Sequence, residues 1–225
     1  MQEEIRRLKE KKRAVILAHN YQTAEVQDIA DFVGDSLELA RKAASLKDCD
    51  IIIFCGVRFM AETAKILSPG RKVLLPEAAA GCPLADMAGV DEVREFKENH
   101  PESWVVSYVN TSADVKAVTD VCCTSANAVS VVRNVPVKSV IFLPDKNLCW
   151  YVRRRVEDKE ILCWNGYCIV HRKFTVVDVQ EVRKTLPDAE LMVHPECDPE
   201  IQKLADQVLS TSGMLKRLPS AARRK

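Results

Sequence analysis

The sequence predicts an α/β fold: a pseudo-threefold repeat of three-layer αβα modules with short parallel sheets, the third module incomplete. Three observations carry this. Short apolar runs alternate with charged segments of helical spacing, the pattern of parallel βα units with sheets covered on both faces. Apolar runs end abruptly in polar side chains at His19, Tyr108 and His194. Each of these exits is followed 12 residues later by an aspartate (Asp31, Asp120, Asp206) and five residues after that by a hydroxyl (Ser36, Ser125, Thr211). Three copies with the same internal offsets mark a repeat.

The elements follow in chain order. "MQEEIRRLKEKKR" reads as a charged helix. Strands are predicted at 14–19, 50–56, 72–76, 104–109, 139–144, 160–164 and 190–195, with helices between them such as Glu38 to Lys47 and Val90 to Asn99. "IIIFCGVRFMAE" aligns with "SVIFLPDKNLCW", and "VLLPEAAAGCPLA" with "ILCWNGYCIVH", which pairs Cys82 with Cys168. The modules run 1–86, 87–170 and 171–225, each full one a three-stranded unit.

Nearly half the 225 residues are hydrophobic, enough for a packed core, and the formal charge of +1 offers no pull toward nucleic acid or a membrane surface. The N-terminus lacks the apolar stretch of a signal peptide, so a soluble, cytoplasmic protein is expected. The nine cysteines are an odd number and include no CxxC pair, which argues against a disulfide framework and against a zinc site of local spacing. Cys55 and Cys163 read as ordinary buried thiols.

In parallel α/β units ligands sit beyond the carboxyl ends of the strands, where helix N-termini also point. The polar exits lie there. Ser36, Ser125 or Thr211 taken singly is a helix cap; the triple repetition favours three hydroxyl clamps on one central cavity. One cysteine per module suggests three thiolates on a four-iron cluster. One iron is then left without a protein ligand, open to act as a Lewis acid.

"LAHNYQ", "DIADFVGDSLELA", "FMAETAKIL", "AGCPLADM", "YVNTSADVKAVTD", "CTSANAV", "HPEC" and "STSGM" resemble, in order and over nearly the whole chain, the quinolinate synthases. The resemblance implies three pseudo-symmetric αβα domains around a central site. It implies a transferase-class reaction in NAD biosynthesis: iminoaspartate condenses with dihydroxyacetone phosphate to give quinolinate, phosphate and two waters. It implies a [4Fe–4S] cluster, with Cys82 and Cys168 as ligands, and a functional link to an L-aspartate oxidase or aspartate dehydrogenase. His19, Ser36, Tyr108, Asn110, Ser125, His194, Glu196 and Thr211 match the family's substrate-binding positions, and Tyr21, His19 and Glu196 its catalytic ones. His171 is left between two roles, a partner of the cluster and a polar residue at a helix start.

The repeat places a third cysteine about 60 residues after His194, and the sequence ends at Lys225. The expectation is therefore a shortened chain that holds little cluster alone and forms no measurable quinolinate. The alternative is a non-catalytic module binding dicarboxylates or phosphates. Arg58 stands where family members vary. Cys149 stands where the family has glycine, and strain is expected there if the backbone is left-handed. The basic tail after Leu215 is expected to be solvated.

Overall fold

The computed structural model describes residues 1–221 and falls into two compact units, Met1–Cys82 and the chain from Pro83 on. The predicted α/β fold of short parallel sheets is present. The last three tail cations, Arg223, Arg224 and Lys225, lie outside the described residues. Among the described residues no helix is long and apolar enough to cross a membrane.

The first unit runs α1 (Gln2–Lys11), β1 (Ala14–His19), α2 (Ala24–Ile29), β2 (Phe32–Gly34), α3 (Ser36–Ser45), β3 (Ile51–Cys55), α4 (Arg58–Leu67) and β4 (Lys72–Leu74). Its sheet has the order β2-β1-β3-β4, all parallel. Leu17, Ile52 and Phe54 from the strands pack with Leu39, Ala43, Ala61 and Ala64 from α3 and α4. These positions are the apolar stripes of the two helices, and their burial holds the layer together.

The second unit repeats the plan. After a 3-10 turn at Ala85–Met87 come α5 (Val90–Glu98), β5 (Trp104–Tyr108), α6 (Ala113–Ala117), β6 (Val121–Cys123), α7 (Ala128–Asn134), β7 (Ser139–Leu143), α8 (Lys146–Arg153) and β8 (Glu160–Cys163). The sheet order is β6-β5-β7-β8, again parallel. A 3-10 turn at His171–Lys173 leads to α9 (Val176–Thr185), β9 (Met192–Val193), α10 (Pro199–Leu204), β10 (Gln207–Val208) and α11 (Thr211–Ala221). β9 and β10 pair in parallel, as β1 and β2 do, and as β5 and β6 do.

The two full sheets hold four strands each, where three were expected. The added strands, β2, β6 and the corresponding β10, are two or three residues long, too short to show alternation in the sequence. Each follows the repeat aspartate, and the structure gives that aspartate a job. Asp31 Oδ2 accepts from the Ile16 amide at 2.8 Å, Asp120 Oδ2 from Val105 at 2.7 Å, and Asp206 Oδ2 from Leu191 at 2.7 Å. Each aspartate amide also donates back to the carbonyl of the same residue. A cation from the preceding helix completes each clip: Lys9 at 2.7 Å, Lys97 at 3.2 Å and Arg183 at 2.5 Å. The repeat aspartate thus staples the incoming short strand to the start of its neighbour.

Three further expectations are corrected. Cys149 sits inside α8 with helical backbone, fully buried, and among the described non-glycine residues only Arg13 has positive φ. The expected strain is absent. Cys163 is not a free thiol: it is disulfide-bonded to Cys149, with the Cα atoms of α8 and β8 5.8 Å apart. Arg217 of the tail is paired with Glu190 at 2.9 Å and is not simply solvated.

Candidate active site

In the first unit, β1 delivers His19 to the sheet's carboxyl edge. Its Nδ1 accepts the Tyr21 amide at 3.2 Å, which leaves the ring proton on Nε2. Burial lowers the His19 pKa, with Asp35 opposing, so the ring is neutral. Tyr21 stands edge-on to His19 with ring centroids 4.6 Å apart and is 70% exposed. Ser36 is the first residue of α3, but the capping is done by Asp35, whose carboxylate accepts from Leu37 and Glu38. Cys82 ends the unit, half-buried, on a loop held by the Arg58 amide donating to Ala80 O at 2.8 Å.

In the second unit the exits of β5 and β9 and the loops after β6 and β8 meet in one buried cluster. Glu196, 3% exposed, is its centre. Its Oε1 accepts the Tyr108 hydroxyl at 2.6 Å and its Oε2 lies 3.0 Å from His171 Nδ1. Burial alone would raise this carboxyl. The hydrogen bond and the charge of His171, with the Tyr108 hydroxyl, outweigh it and keep Glu196 ionised. Tyr108 is held protonated by burial first and the Glu196 charge second.

His171 and His194 stack with ring centroids 4.8 Å apart, and only one carries charge. Burial would lower His171, but hydrogen bonds to Cys168 and Glu196 lift it to about 10. Burial lowers His194 to about 4. His194 Nδ1 accepts the Glu196 amide at 3.3 Å, the same turn as at His19, so its Nε2–H faces Ser125 Oγ at 3.1 Å. Ser125 Oγ therefore faces the cluster. The oxygen at this helix start that satisfies backbone is Asn127 Oδ1, which accepts the Thr124 amide at 2.6 Å. At α11 Ser210 Oγ accepts the Gly213 amide at 3.2 Å, and Thr211 is the first helical residue. Asn110, just past β5, keeps a buried side-chain oxygen without a partner.

The Cys168 thiol, the His171 ring and a Glu196 oxygen lie within 4.8 Å of one another. His171 is thus a direct partner of Cys168 and Glu196, and it is also the first residue of the 3-10 turn His171–Lys173. Cys197 is buried, its thiol raised to about 11 by burial, and stays inert.

Sequence reasoning missed Asp145 and Asn147, both buried. Asn147 Nδ2 donates to Glu196 O at 3.1 Å and Asp198 Oδ1 at 2.9 Å, fixing the turn that carries Glu196. Asp145 Oδ1 accepts the Leu148 amide at 2.7 Å and Oδ2 the Cys168 amide at 3.1 Å. Burial, and then the charge of Glu196, push its carboxyl upward. The available signal was the repeat itself, which aligns Asp145 with the apolar Val57.

A family model described as "NadA: Quinolinate synthetase A protein" matches residues 3–225. The chain is 54% identical over 222 residues to the quinolinate synthase of Thermodesulfovibrio yellowstonii, covering 99% of this chain and 73% of that protein. It is 54% identical to that of Aquifex aeolicus, over 96% of this chain and 67% of the relative. It is 56% identical to that of Methanoregula boonei, over 96% of this chain and 71% of the relative. Aspartate transcarbamoylase from Trypanosoma cruzi aligns over 98% of this chain and 84% of its own at a TM-score of 0.21 and 11% identity, too weak a likeness to carry any argument.

Proposed function

The chain belongs to the quinolinate synthase family, and from that premise we propose that it condenses iminoaspartate with dihydroxyacetone phosphate to quinolinate, releasing phosphate and two waters, as a step of NAD biosynthesis. Iminoaspartate would come from an oxidase or dehydrogenase acting on L-aspartate. The observation that carries the reading is the buried, ionised Glu196 shared between Tyr108 and His171 beside the Cys168 thiol.

The donor set of Cys168, His171 and Glu196 fits a thiolate-held metal group. Cys168 and Cys82 would be thiolate ligands of a [4Fe–4S] cluster. When bound, the cluster supplies an iron that acts as a Lewis acid toward a hydroxyl or carboxylate oxygen. The chain's own side chains do the rest. Ionised Glu196 takes a proton from carbon or nitrogen of the substrate, and the Tyr108 hydroxyl returns one to a departing hydroxyl. The neutral His194 donates from Nε2 to a substrate oxygen in concert with Ser125 Oγ. Asn110 offers its unpartnered side-chain oxygen as a further anchor. His19 and Tyr21 form the corresponding proton-handling pair of the first unit. Ser36, Ser125 and Thr211 clamp the carboxylates and phosphate.

The test is anaerobic reconstitution with iron and sulfide, followed by quinolinate detection by mass spectrometry. About four irons per chain and quinolinate formation support the reading and overturn the expectation of a shortened chain that holds little cluster. Glu196→Gln should then lower turnover about 10²- to 10⁴-fold. A reconstituted chain that binds dicarboxylates or phosphate yet forms no quinolinate would leave only the binding module.

A further inference from the structure

We infer that Asp145 is a positioning residue for Cys168: its carboxylate holds the backbone amide from which the Cys168 thiol is presented toward His171 and Glu196. Asp145 is 0% exposed, and its two oxygens do separate jobs. Oδ1 caps α8 through the Leu148 amide at 2.7 Å. Oδ2 reaches across to the Cys168 amide at 3.1 Å, 23 residues away in sequence. The approach is close because the Lys146 amide donates to Gly166 O at 2.8 Å and because Gly166 has no side chain. A Cβ there would stand 2.4 Å from Pro144 O.

The turn itself does not require the carboxylate. In the first unit the corresponding strand–helix turn carries Val57 and forms the corresponding backbone bond, from the Arg58 amide to Ala80 O, also at 2.8 Å. The cap alone does not require it either, since an asparagine or serine oxygen caps a helix about as well. Only the second oxygen explains an aspartate. An asparagine would turn a donor group toward the Cys168 donor, and a serine is too short to serve both amides. The inference rests on the proposed function only in taking Cys168 as an iron ligand; groups behind a metal ligand orient it and tune its affinity.

The experiment uses the full chain labelled with ¹⁵N-cysteine and ¹⁵N-leucine, in wild type, Asp145→Asn and Asp145→Ser. In the wild type the Cys168 amide should be protected from hydrogen exchange, as the Leu148 amide is. Free exchange at Cys168 in the wild type overturns the inference without any variant. In both variants Cys168 exchange should rise at least about tenfold while Leu148 protection stays near wild type. Unchanged Cys168 exchange in both variants overturns it. The second readout is iron retained after anaerobic reconstitution and desalting, expected to fall about tenfold in both variants. Retention equal to a wild type that holds iron overturns the positioning role. A wild type that holds no iron overturns the proposed function instead, and the exchange rates still decide for or against Asp145.

Discussion

The Cys82 and Cys168 loops descend from one repeat and are built from one backbone bond. In both, the first amide of the helix after the sheet's third strand donates at 2.8 Å to the carbonyl two residues before the cysteine: Arg58 to Ala80, Lys146 to Gly166. Around that bond the two diverge. The first loop is held from outside, by the Arg58 guanidinium donating to Ala78 O at 2.8 Å. The second is held from inside, by the buried Asp145 carboxylate accepting the cysteine's own amide. The repeat therefore dictates where a cysteine stands relative to its sheet, and the non-repeated side chains dictate how firmly. Buried bonds to charged groups contribute more than exposed ones, so the Cys168 loop should be the more tightly fixed of the two.

Substitution at the carbonyl position tests this most severely. Gly166→Ala drives a Cβ to 2.4 Å from the Pro144 backbone oxygen, which has no flexible end to move aside. The expected cost is about 1–3 kcal/mol, read as a drop in urea midpoint. The corresponding Ala80 already carries a Cβ, and Ala80→Gly should cost only about 0.5–1 kcal/mol through backbone freedom. Equal costs at the two positions would erase the difference between the loops.

The aspartate clips probe what the two units share. Asp31→Ala and Asp120→Ala each remove an acceptor from a strand amide, Ile16 at 2.8 Å and Val105 at 2.7 Å, and each takes a carboxylate partner from a lysine. Both should cost about 1–2 kcal/mol. Thermal unfolding of the two variants would show this, and costs that differ by more than about 1 kcal/mol would mean that the clips share geometry without sharing energetics.

What was legible in the sequence follows the same division. Whatever repeats could be read: the three exits at His19, Tyr108 and His194, the aspartates and hydroxyls behind them, and the pairing of Cys82 with Cys168. The long strands showed as apolar runs. β2, β6 and β10 did not, because two or three residues give no period and their pairing is set by the clip. Whatever depends on a long loop closing was hidden. Asp145 meets Cys168 only because the chain after β8 returns over Pro144. His171 was left undecided because its partner Glu196 is 25 residues on. The Cys149–Cys163 pair was missed because a helix and a strand bring it together, with no motif to announce it.

The smallest effect expected is at Arg58, and it discriminates most finely between the two ways of holding a loop. Its guanidinium bond to Ala78 O is exposed, so water competes for both partners and the net contribution is small. Arg58→Ala should shift stability by no more than about 0.5 kcal/mol. The backbone bond from residue 58 to Ala80 survives the change, since it needs no side chain. What should change is local. With the guanidinium tie gone, the segment 78–82 samples open conformations more often, and Cys82 meets reagents more often. Iodoacetamide labelling followed by peptide mass spectrometry should show Cys82 reacting about two- to threefold faster, the kinetic image of a few tenths of a kcal/mol. Cys168, held by Asp145 and not by an exposed arginine, should label at the wild-type rate. If Cys168 accelerates with Cys82, the two loops are coupled rather than separately held; if neither changes, the arginine bond contributes nothing and the backbone bond alone secures the first loop.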